Sequence, residues 1–393
     1  MNNKIYIVSE YVDAIQNSTG YYWTKIISAL NSDDKVIHVI SSEKSCQIAS
    51  KDFNREFVKF FPIKDKTSNN INFFNRALND IFFSLRLAFA VNKKIKKNDT
   101  IVSGTNPAFL FLFLAFIKIY KKFKLVVIVH DIFPENLVPS GSINRNYSFV
   151  LKPIIFLFNL AYSNLTSIVV IGRDMKQTLL KKIYSKKVNI EYIPNFIDFN
   201  DIKNSPLKNI NNSRLTFNFF GNLGPLQGID NLLEAIRILN NTSIKFNFIG
   251  TGSKEDLIKK FMKNNPSIDM ELHNNLPFNE KNKMLYDGDI AIVSLSKGMR
   301  GLAVPSKTYF SLAANKPILV IADKGSELDY LISENKGIGW FCVAGEPKKL
   351  AQQIRKIYTE GQLLGSDKPI RVVKRSYDYS NIKDKYKNLI NKI

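Results

Sequence analysis

The chain has few of the residues that bind metals or form disulfide bonds. Among 393 residues there are only 2 cysteines and 3 histidines. Cys46 and Cys342 lie far apart with no third or fourth cysteine, which excludes a disulfide framework and a cysteine-rich zinc site and favours a reducing compartment. The acidic pair in Asp287-Gly288-Asp289 directly precedes an apolar segment, IAIVSL, and is interpreted as the start of a strand. We therefore expect that no bound metal is required.

Long apolar runs are also missing. The segment PAFLFLFLAFIKIY begins at Pro107 and offers about 11 apolar residues before Lys118, short of the ~20 that a membrane-spanning helix needs. We predict a helix packed on a sheet. A second segment, FVLKPIIFLFNLAY from Phe149, is interrupted by Lys152 and Pro153. A buried crossover helix is the favoured interpretation of this segment, and a helix lying at a bilayer interface is the alternative.

Acidic residues are outnumbered, with 34 Asp and Glu against 56 Lys and Arg and a formal net charge of +22. The excess is spread over both halves of the chain. This fits peripheral association with an anionic membrane better than the dense basic stripe of a nucleic-acid reader, so we expect no nucleic-acid partner. A lysine-rich composition inherited from the host genome is the alternative. The first residues, MNNKIYIVSE, enter an apolar strand at once, so we expect a cytoplasmic protein at the inner face of the cell membrane.

What the chain does contain is a repeated alternation of short apolar strands with helical stretches. Its length and its 45% hydrophobic content suit two globular domains. Strands are predicted at KIYIVSE, KVIHVISS, TIVSGT, KLVVIVHD, SIVVIG and IEYIPN, and then at LTFNFFG, KFNFIG, DIAIVSL, KPILVIA and GIGWFCV. Their spacing predicts parallel sheets with helical crossovers, hence an α/β protein. We place the domains at residues 1–196 and 197–375, with a polar linker from Phe196 to Arg214 and a C-terminal helix over 376–393 that packs back on the first domain.

A glycine-rich turn and an amphipathic helix follow the strand LTFNFFG. Gly221, Gly224 and Gly228 allow the backbone to approach an anion, and the helix directs unpaired N–H groups and the positive end of its dipole to the same place. A second strand and turn, with Gly250 and Gly252, follow about 30 residues later, as in the βαβ repeat of a nucleotide-binding domain. This pattern predicts a phosphate site, and a turn that only caps a strand is the alternative.

Four blocks, taken in their order and spacing, resemble the family-4 glycosyltransferases of the GT-B fold. They are NSTGYYWTKI at Asn17, VHDIFPEN at Val129, GNLGPLQGIDNLLEA at Gly221 and GLAVPSKTYFSLAANKPIL at Gly301. The chain is similar to the branch of bacterial surface-polysaccharide enzymes that includes the L-fucosamine transferases. The resemblance covers nearly the whole chain and implies two Rossmann-like domains that face each other across a cleft.

In the N-terminal domain the resemblance points to three residues. His130 ends a strongly apolar strand, where such an enzyme has a histidine facing the donor sugar; a hydrogen-bonded structural histidine is the alternative. Gly20 would bring backbone amides near the donor phosphates or the acceptor, or would form a plain strand-to-helix turn. Glu135 would either touch the acceptor or cap its own loop, and the sequence does not separate the two.

In the C-terminal domain the chain departs from the wider family. Asn222 and Gln227 stand where a basic pair is usual, and Leu302 and Phe310 occupy the positions of two usual glutamates. The usual ribose contact is therefore missing. Glu327 is a candidate substitute, although a solvated helix start explains it equally well.

The branch that the chain resembles has instead a Pro-Ser-Lys block. Here Lys307 would neutralise the donor diphosphate, and the Ser306 hydroxyl and nearby N–H groups would bond it. Arg300, seven residues earlier, is a candidate second cation. These positive groups would replace the missing basic pair, because the negative charge of a leaving nucleoside diphosphate needs neutralisation.

The resemblance implies transfer of a sugar, N-acetylated or deoxy-amino, from a UDP-sugar with retention at the anomeric carbon. The acceptor would be a saccharide on a polyprenyl diphosphate, in O-antigen, capsule or exopolysaccharide biosynthesis. His130, Lys307 and Glu135 would be the catalytic residues. Two alternatives stay open: a nucleotide-sugar epimerase of similar fold, and a non-enzymatic protein that binds polyanions.

Overall fold

The computed structural model describes residues 3–31, 35–66, 73–202, 215–240, 243–274, 286–361 and 363–393. The chain divides into two compact units. Unit 1 contains residues 1–135, 149–195 and 379–393, and unit 2 contains residues 136–148 and 196–378. Each unit is built on one parallel sheet, so the expectation of an α/β protein with two such domains is confirmed.

The sheet of unit 1 has seven parallel strands in the order β3-β2-β1-β4-β5-β6-β7. Five of them, β1, β2, β4, β5 and β6, are buried along nearly their whole length, because a parallel sheet is covered by helices on both faces. The strands are β1 (Ile5–Val8), β2 (Ile37–Ser42), β3 (Val58–Ile63), β4 (Thr100–Gly104), β5 (Lys124–Val129), β6 (Ser167–Val170) and β7 (Asn189–Tyr192).

The helices of unit 1 connect these strands and cover the sheet. The strand order reverses between β1 and β4, and right-handed crossovers therefore put the helices that precede and follow this point on opposite faces. The helices are α1 (Ser18–Asn31), α2 (Glu43–Ala49), α3 (Phe73–Lys94), α4 (Leu110–Lys121), α5 (Lys152–Ser163), α6 (Arg173–Leu180) and, at the C-terminus, α13 (Tyr379–Lys392). On one face α3 packs beside α4 and α4 beside α5, while α13 packs against α1.

The sheet of unit 2 has six parallel strands in the order β10-β9-β8-β11-β12-β13. Its centre holds aromatic pairs across adjacent strands: the rings of Phe217 and Phe246 stack at 5.5 Å between centroids, and those of Phe219 and Phe248 at 5.6 Å. The strands are β8 (Leu215–Phe220), β9 (Ile244–Ile249), β10 (Met270–His273), β11 (Ile290–Ser294), β12 (Ile318–Ala322) and β13 (Gly339–Val343).

The helices of unit 2 bury apolar stripes against this sheet. Leu232, Leu233 and Ile236 of α7, for example, join the core formed by the phenylalanine pairs. The helices are α7 (Ile229–Leu239), α8 (Glu255–Asn264), α9 (Lys307–Ala313), α10 (Glu327–Glu334), α11 (Pro347–Glu360) and α12 (Lys368–Ser376).

The strands predicted from the sequence are all present. The sequence did not predict β3 and β10, which are edge strands of the two sheets. Most of the expected linker, residues 203–214, lies outside the described residues. Within the part of the chain that the structure describes, no helix is long and apolar enough to cross a membrane.

Candidate functional site

Two glycine turns of unit 2 join each other at the carboxyl ends of β8 and β9. The Gly221 amide donates to the Ile249 carbonyl at 2.8 Å, and the Leu223 amide donates to the Thr251 carbonyl at 2.9 Å. A Cβ atom on Gly250 would lie 1.8 Å from the Gly221 carbonyl oxygen. The backbones are therefore in direct contact, and glycine is required there.

Close backbone contact also requires glycine at position 252. A Cβ atom on it would lie 2.4 Å from the Leu223 carbonyl oxygen, and its amide donates to the Glu255 carboxylate at 2.7 Å. The predicted residues Gly250 and Gly252 thus hold the first turn in place, and this role explains both glycines without a ligand.

Gly221 is different, because its surroundings are open. Its φ of +110° suits glycine, and nothing lies within 4 Å of the position that a Cβ atom would take. The Asn222 side chain turns back on the same loop, since a Cβ on Gly224 would lie 2.9 Å from its Nδ2 atom. The first glycine turn therefore presents an open backbone edge beyond β8.

The end of this turn is bound to the loop after β11. Gly228, with φ of +60°, is the N-cap residue of α7, and its amide donates to the Ser296 hydroxyl at 3.1 Å. The same hydroxyl donates to the Pro225 carbonyl at 2.9 Å. The ends of β8 and β11, which are neighbours in the sheet, are thus fastened together.

Buried polar atoms without a hydrogen-bond partner collect on the elements around this turn. They belong to Gln227 (Oε1), Asn231 (Nδ2), Ser294 (Oγ), Lys307 (Nζ) and Thr308 (Oγ1). A Cβ on Gly228 would lie 3.2 Å from Ser294 Oγ, which places that hydroxyl directly beneath the turn. Buried polar groups are nearly always paired, so unpaired atoms here are suited to a polar ligand.

Lys307 is the most unusual of these groups. Its ammonium lies 3.6 Å from the centroid of the Phe219 ring, which belongs to the strand that leads into the glycine turn. The residue as a whole is partly exposed, but Nζ itself is buried without a hydrogen-bond partner. Burial lowers the pKa of Lys307 to about 7. An anion that reached Nζ would favour the protonated ammonium and offset the free-energy cost of burying its charge.

Ser306 precedes Lys307 at the beginning of α9, and its hydroxyl makes no capping bond to the helix. Arg300 lies in the loop after β11, which Asp323 holds by accepting the amides of Gly298 at 2.8 Å and of Arg300 at 3.0 Å. The Arg300 guanidinium packs on Gly325, where a Cβ atom would lie 2.9 Å from its central carbon. The structure thus brings Arg300 against the loop that leads into α10.

Glu327 is the first residue of α10 and is 2% exposed. The interpretation of Glu327 as part of a solvated helix start is therefore wrong, because the side chain is buried. Ser326 caps this helix by accepting the Asp329 amide at 3.3 Å. The role of Glu327 as a ribose contact stays a prediction.

In unit 1, His130 follows the end of β5. Its amide donates to the Thr105 hydroxyl at 3.2 Å, and its ring is stacked with Tyr22 at 6.4 Å between centroids. The Nε2 atom is buried without a partner, and burial lowers the pKa of His130 to about 4. The imidazole is therefore neutral at neutral pH.

Asp131, next in the chain, was not among the predicted site residues. Its amide also donates to the Thr105 hydroxyl, at 3.3 Å, and burial raises the pKa of its carboxyl to about 6. Titratable groups with shifted pKa values at a strand's carboxyl end are typical of functional sites. The sequence signal was available, since an acid follows directly after an apolar strand.

Glu135 and Gly20 have local partners. One carboxylate oxygen of Glu135 forms an ion pair with Lys182, and its Oε2 atom is buried without a partner. Gly20 lies in the first turn of α1, where its amide donates to the Asn17 side chain at 2.9 Å. A Cβ atom there would lie 1.9 Å from the Asp13 carbonyl oxygen, so close backbone contact accounts for this glycine.

The chain is similar in sequence to known glycosyltransferases. The family model described as "Glycosyl transferases group 1" matches residues 200–374, which include the glycine turns and Lys307. The "Probable glycosyltransferase WbjE" of Pseudomonas aeruginosa is 37% identical over 364 residues, covering 90% of this chain and 89% of the relative.

Solved structures with low sequence identity share the fold. HepE of Anabaena in complex with UDP and glucose has a TM-score of 0.70 and 13% identity, and the match covers 100% of both chains. The lipopolysaccharide outer core galactosyltransferase WaaB, in its apo form, has a TM-score of 0.65 and 12% identity, covering 99% of this chain and 100% of the other.

Proposed function

The chain belongs to the group 1 glycosyl transferases and has the GT-B fold, and from this premise we propose which reaction it catalyses. It transfers an N-acetylated or deoxy-amino sugar from a UDP-sugar to a lipid-linked saccharide, with retention at the anomeric carbon. Within the family we assign it to family 4 and to the branch that resembles the L-fucosamine transferases. The family match and the 37% identical glycosyltransferase relative support a transferase over the two alternatives, an epimerase and a non-enzymatic polyanion binder.

The buried, unpaired ammonium of Lys307 is the observation that carries the proposal. It lies over Phe219, at the strand that leads into the open turn at Gly221. A diphosphate bound at this turn would receive the N–H groups of the first turn of α7 and the positive end of that helix from one side, and the Lys307 charge from the other. Ser306 and Arg300 would add a hydroxyl and a second cation.

These groups stabilise the leaving group as the sugar–phosphate bond breaks. Negative charge grows on the diphosphate in the transition state, and preorganised donors and cations there lower the barrier. With Lys307 and Arg300 supplying this charge, we propose that the reaction needs no metal ion. The leaving phosphate oxygen accepts the proton of the attacking hydroxyl.

The residues of unit 1 would hold the sugar and the acceptor. Neutral His130 has one unpaired ring nitrogen that can bond a sugar hydroxyl. Glu135, fixed by Lys182, has one unpaired carboxylate oxygen for the acceptor. In unit 2, Glu327 would hold the ribose in place of the usual glutamate.

We further propose that the nucleotide of the donor is UDP. The acceptor is linked to polyprenyl diphosphate, and the product is a bacterial surface polysaccharide. The structural neighbour HepE binds UDP and glucose, and WaaB acts on lipopolysaccharide. An enzyme with a lipid-linked acceptor must bind that acceptor at a membrane surface. The net charge of +22 favours association with the anionic inner face of the membrane.

Thermal unfolding with UDP, GDP and ADP tests the donor site. UDP is expected to raise the melting temperature of the wild type by several degrees at about 100 times its Kd, because ligand binding then adds about 2.7 kcal/mol. Lys307→Met, which retains a side chain over Phe219, is expected to lose this shift. Lys348→Met, at an exposed position of α11, is the matched control and should retain it. No shift with any nucleotide would contradict the proposed site.

A further inference from the structure

Three neighbouring helices of unit 1 carry large apolar side chains on their exposed sides. On α3, Phe82 and Phe89 are 61% and 60% exposed, and Leu85 lies between them. Their spacing of three and four residues places them on one stripe of the helix. The opposite side of α3 is buried, with Phe83 and Leu87 in the core.

The next two helices repeat this arrangement. On α4 the exposed stripe contains Phe116, Ile119 and Tyr120. On α5, Phe156 and Leu160 are four residues apart and both exposed, while Phe158 and Tyr162 are buried. The expected buried crossover helix at α5 is therefore buried on one side only.

The three stripes form one surface, which we call the apolar face. The helices α3, α4 and α5 form the connections from β3 to β4, from β4 to β5 and from β5 to β6, which all run in the same direction across the sheet. Right-handed crossovers therefore place them side by side on one face, with α3 packed on α4 and α4 on α5. The Tyr120 hydroxyl donates to the Asn92 side chain at 2.8 Å and links the solvent sides of α3 and α4.

The apolar face is larger than an ordinary surface patch. With about 100 Å² of exposed area for each of its eight large side chains, it measures on the order of 800 Å². The largest apolar patch of a typical soluble monomer is about 300–600 Å² and is often functional. An exposed surface of this size indicates that something covers it.

The charges around the face indicate what covers it. Helices α4 and α5 contain no acidic residue, and α3 contains only Asp80, which pairs with Lys66. Lysines stand at the helix ends, including Lys93 and Lys122, and the Lys93 ammonium lies 4.5 Å from the ring of Phe89 on the stripe. An apolar centre with a lysine rim, and with one acidic residue on the three helices that is already paired, is complementary to anionic phosphates above an acyl layer.

We propose that the apolar face docks on a bilayer that contains anionic lipids. The aromatic and aliphatic side chains enter the headgroup region, and the lysines bind lipid phosphates. No helix among the described residues is both long and apolar enough to cross a membrane, and the proposed contact is with the bilayer surface. This inference gives a location to the peripheral association in the proposed function, on which it rests.

Flotation with vesicles tests the apolar face. The vesicles contain either phosphatidylcholine alone or equal parts of phosphatidylcholine and phosphatidylglycerol. We expect the wild type to float with the anionic vesicles and less at high salt. The double variant Ile119→Ser, Phe156→Ser is expected to lower the partition coefficient about tenfold or more, because it removes two large side chains from the buried layer.

Ile15→Ser is the matched control, because Ile15 and Ile119 are both 64% exposed and Ile15 lies outside the apolar face. It should leave vesicle binding within about twofold of the wild type. The UDP shift, which depends on unit 2, is measured on every variant to separate this inference from the donor site.

Three results would overturn the proposal. Vesicle binding that the double variant does not weaken would place the membrane contact elsewhere. Absence of binding to anionic vesicles would contradict the peripheral association. A retained UDP shift in the same protein would still support the donor site. A dimer in sedimentation experiments that Ile119→Ser dissociates would show that a second copy of the chain covers the face.

Discussion

Lys307 combines a charge-bearing group with a buried position, and its protonation should therefore respond to ligand. Burial lowers its pKa from 10.5 to about 7. Between these values the unfolded chain holds a proton that the folded chain lacks, so this group makes stability rise with pH across that window. Below pH about 7 both states are protonated, and the full cost of burying the charge is present.

A bound diphosphate should reverse this shift, because it favours the charged ammonium. At pH about 8 the free protein is largely neutral at Lys307, so UDP binding should take up close to one proton and its affinity should fall up to about tenfold per pH unit above 7. Calorimetry of UDP binding in buffers of different ionisation enthalpy measures this uptake. At UDP concentrations high enough to saturate the weakened site, Lys307→Met should bind without this uptake, and an equal uptake in that variant would assign the proton to another group.

His130 and Asp131 should affect stability with opposite signs. Burial lowers the pKa of His130 to about 4, so the unfolded chain binds more protons between about 4 and 6.5 and stability rises with pH. Burial raises the pKa of Asp131 to about 6, so the folded chain binds more protons between about 4 and 6 and stability falls with pH. Each effect is about 3 kcal/mol, and the two nearly cancel.

Single substitutions should separate these slopes. Asp131→Asn leaves the rising contribution of His130, and His130→Gln leaves the falling contribution of Asp131. Urea unfolding of both variants between pH about 4 and 6 should therefore show a difference in unfolding free energy between them that grows by several kcal/mol over this range. Parallel pH profiles for the two variants would show that these groups do not titrate as their burial predicts.

At the scale of elements, the sequence predicted the central strands because burial on both sides demands continuous apolar residues. The missed strands, β3 (Val58–Ile63) and β10 (Met270–His273), are edge strands with one pairing partner each. An edge strand tolerates charged side chains such as Lys59 and Glu271, and its apolar signal is weak.

The glycines of the candidate site could be located but not interpreted from the sequence. A close backbone contact and an open ligand-binding edge both require the absence of Cβ. Gly20 and Gly250 serve the first purpose, since a Cβ atom would lie 1.9 Å and 1.8 Å from carbonyl oxygens, whereas Gly221 faces open space. Similarly, the sequence indicated Lys307 but not that its ammonium is buried over Phe219.

For the helices α3, α4 and α5, the sequence likewise did not show what surrounds their second side. The sequence predicted α4 as a helix packed on a sheet, and the structure confirms this for one side, where Leu110, Phe111 and Leu114 are buried. A run that is apolar all round does not indicate whether its second side meets protein, lipid or water. Only the packing around Phe116 and Ile119 shows that this side is exposed.

At the scale of the whole molecule, the chain leaves unit 1 after residue 195 and returns to it at residue 379. Helix α13 completes unit 1, with Ile382, Tyr386 and Leu389 buried and the Tyr379 hydroxyl donating to the Lys25 carbonyl at 2.9 Å. The stability of unit 1 therefore depends on a segment that is distant in sequence, while unit 2 has its own core around β8 and α7.

Each unit should consequently give its own thermal transition. Leu389→Ala, at a residue 2% exposed in unit 1, should cost about 2–5 kcal/mol and lower one transition by about 4–20 °C. Leu350→Ala, at a fully buried residue of unit 2, is the matched control and should lower the other transition, which is also the one that UDP raises. Scanning calorimetry of both variants with and without UDP measures this. If both substitutions and UDP shifted one common transition, the two cores would unfold as a single cooperative unit, contrary to this expectation.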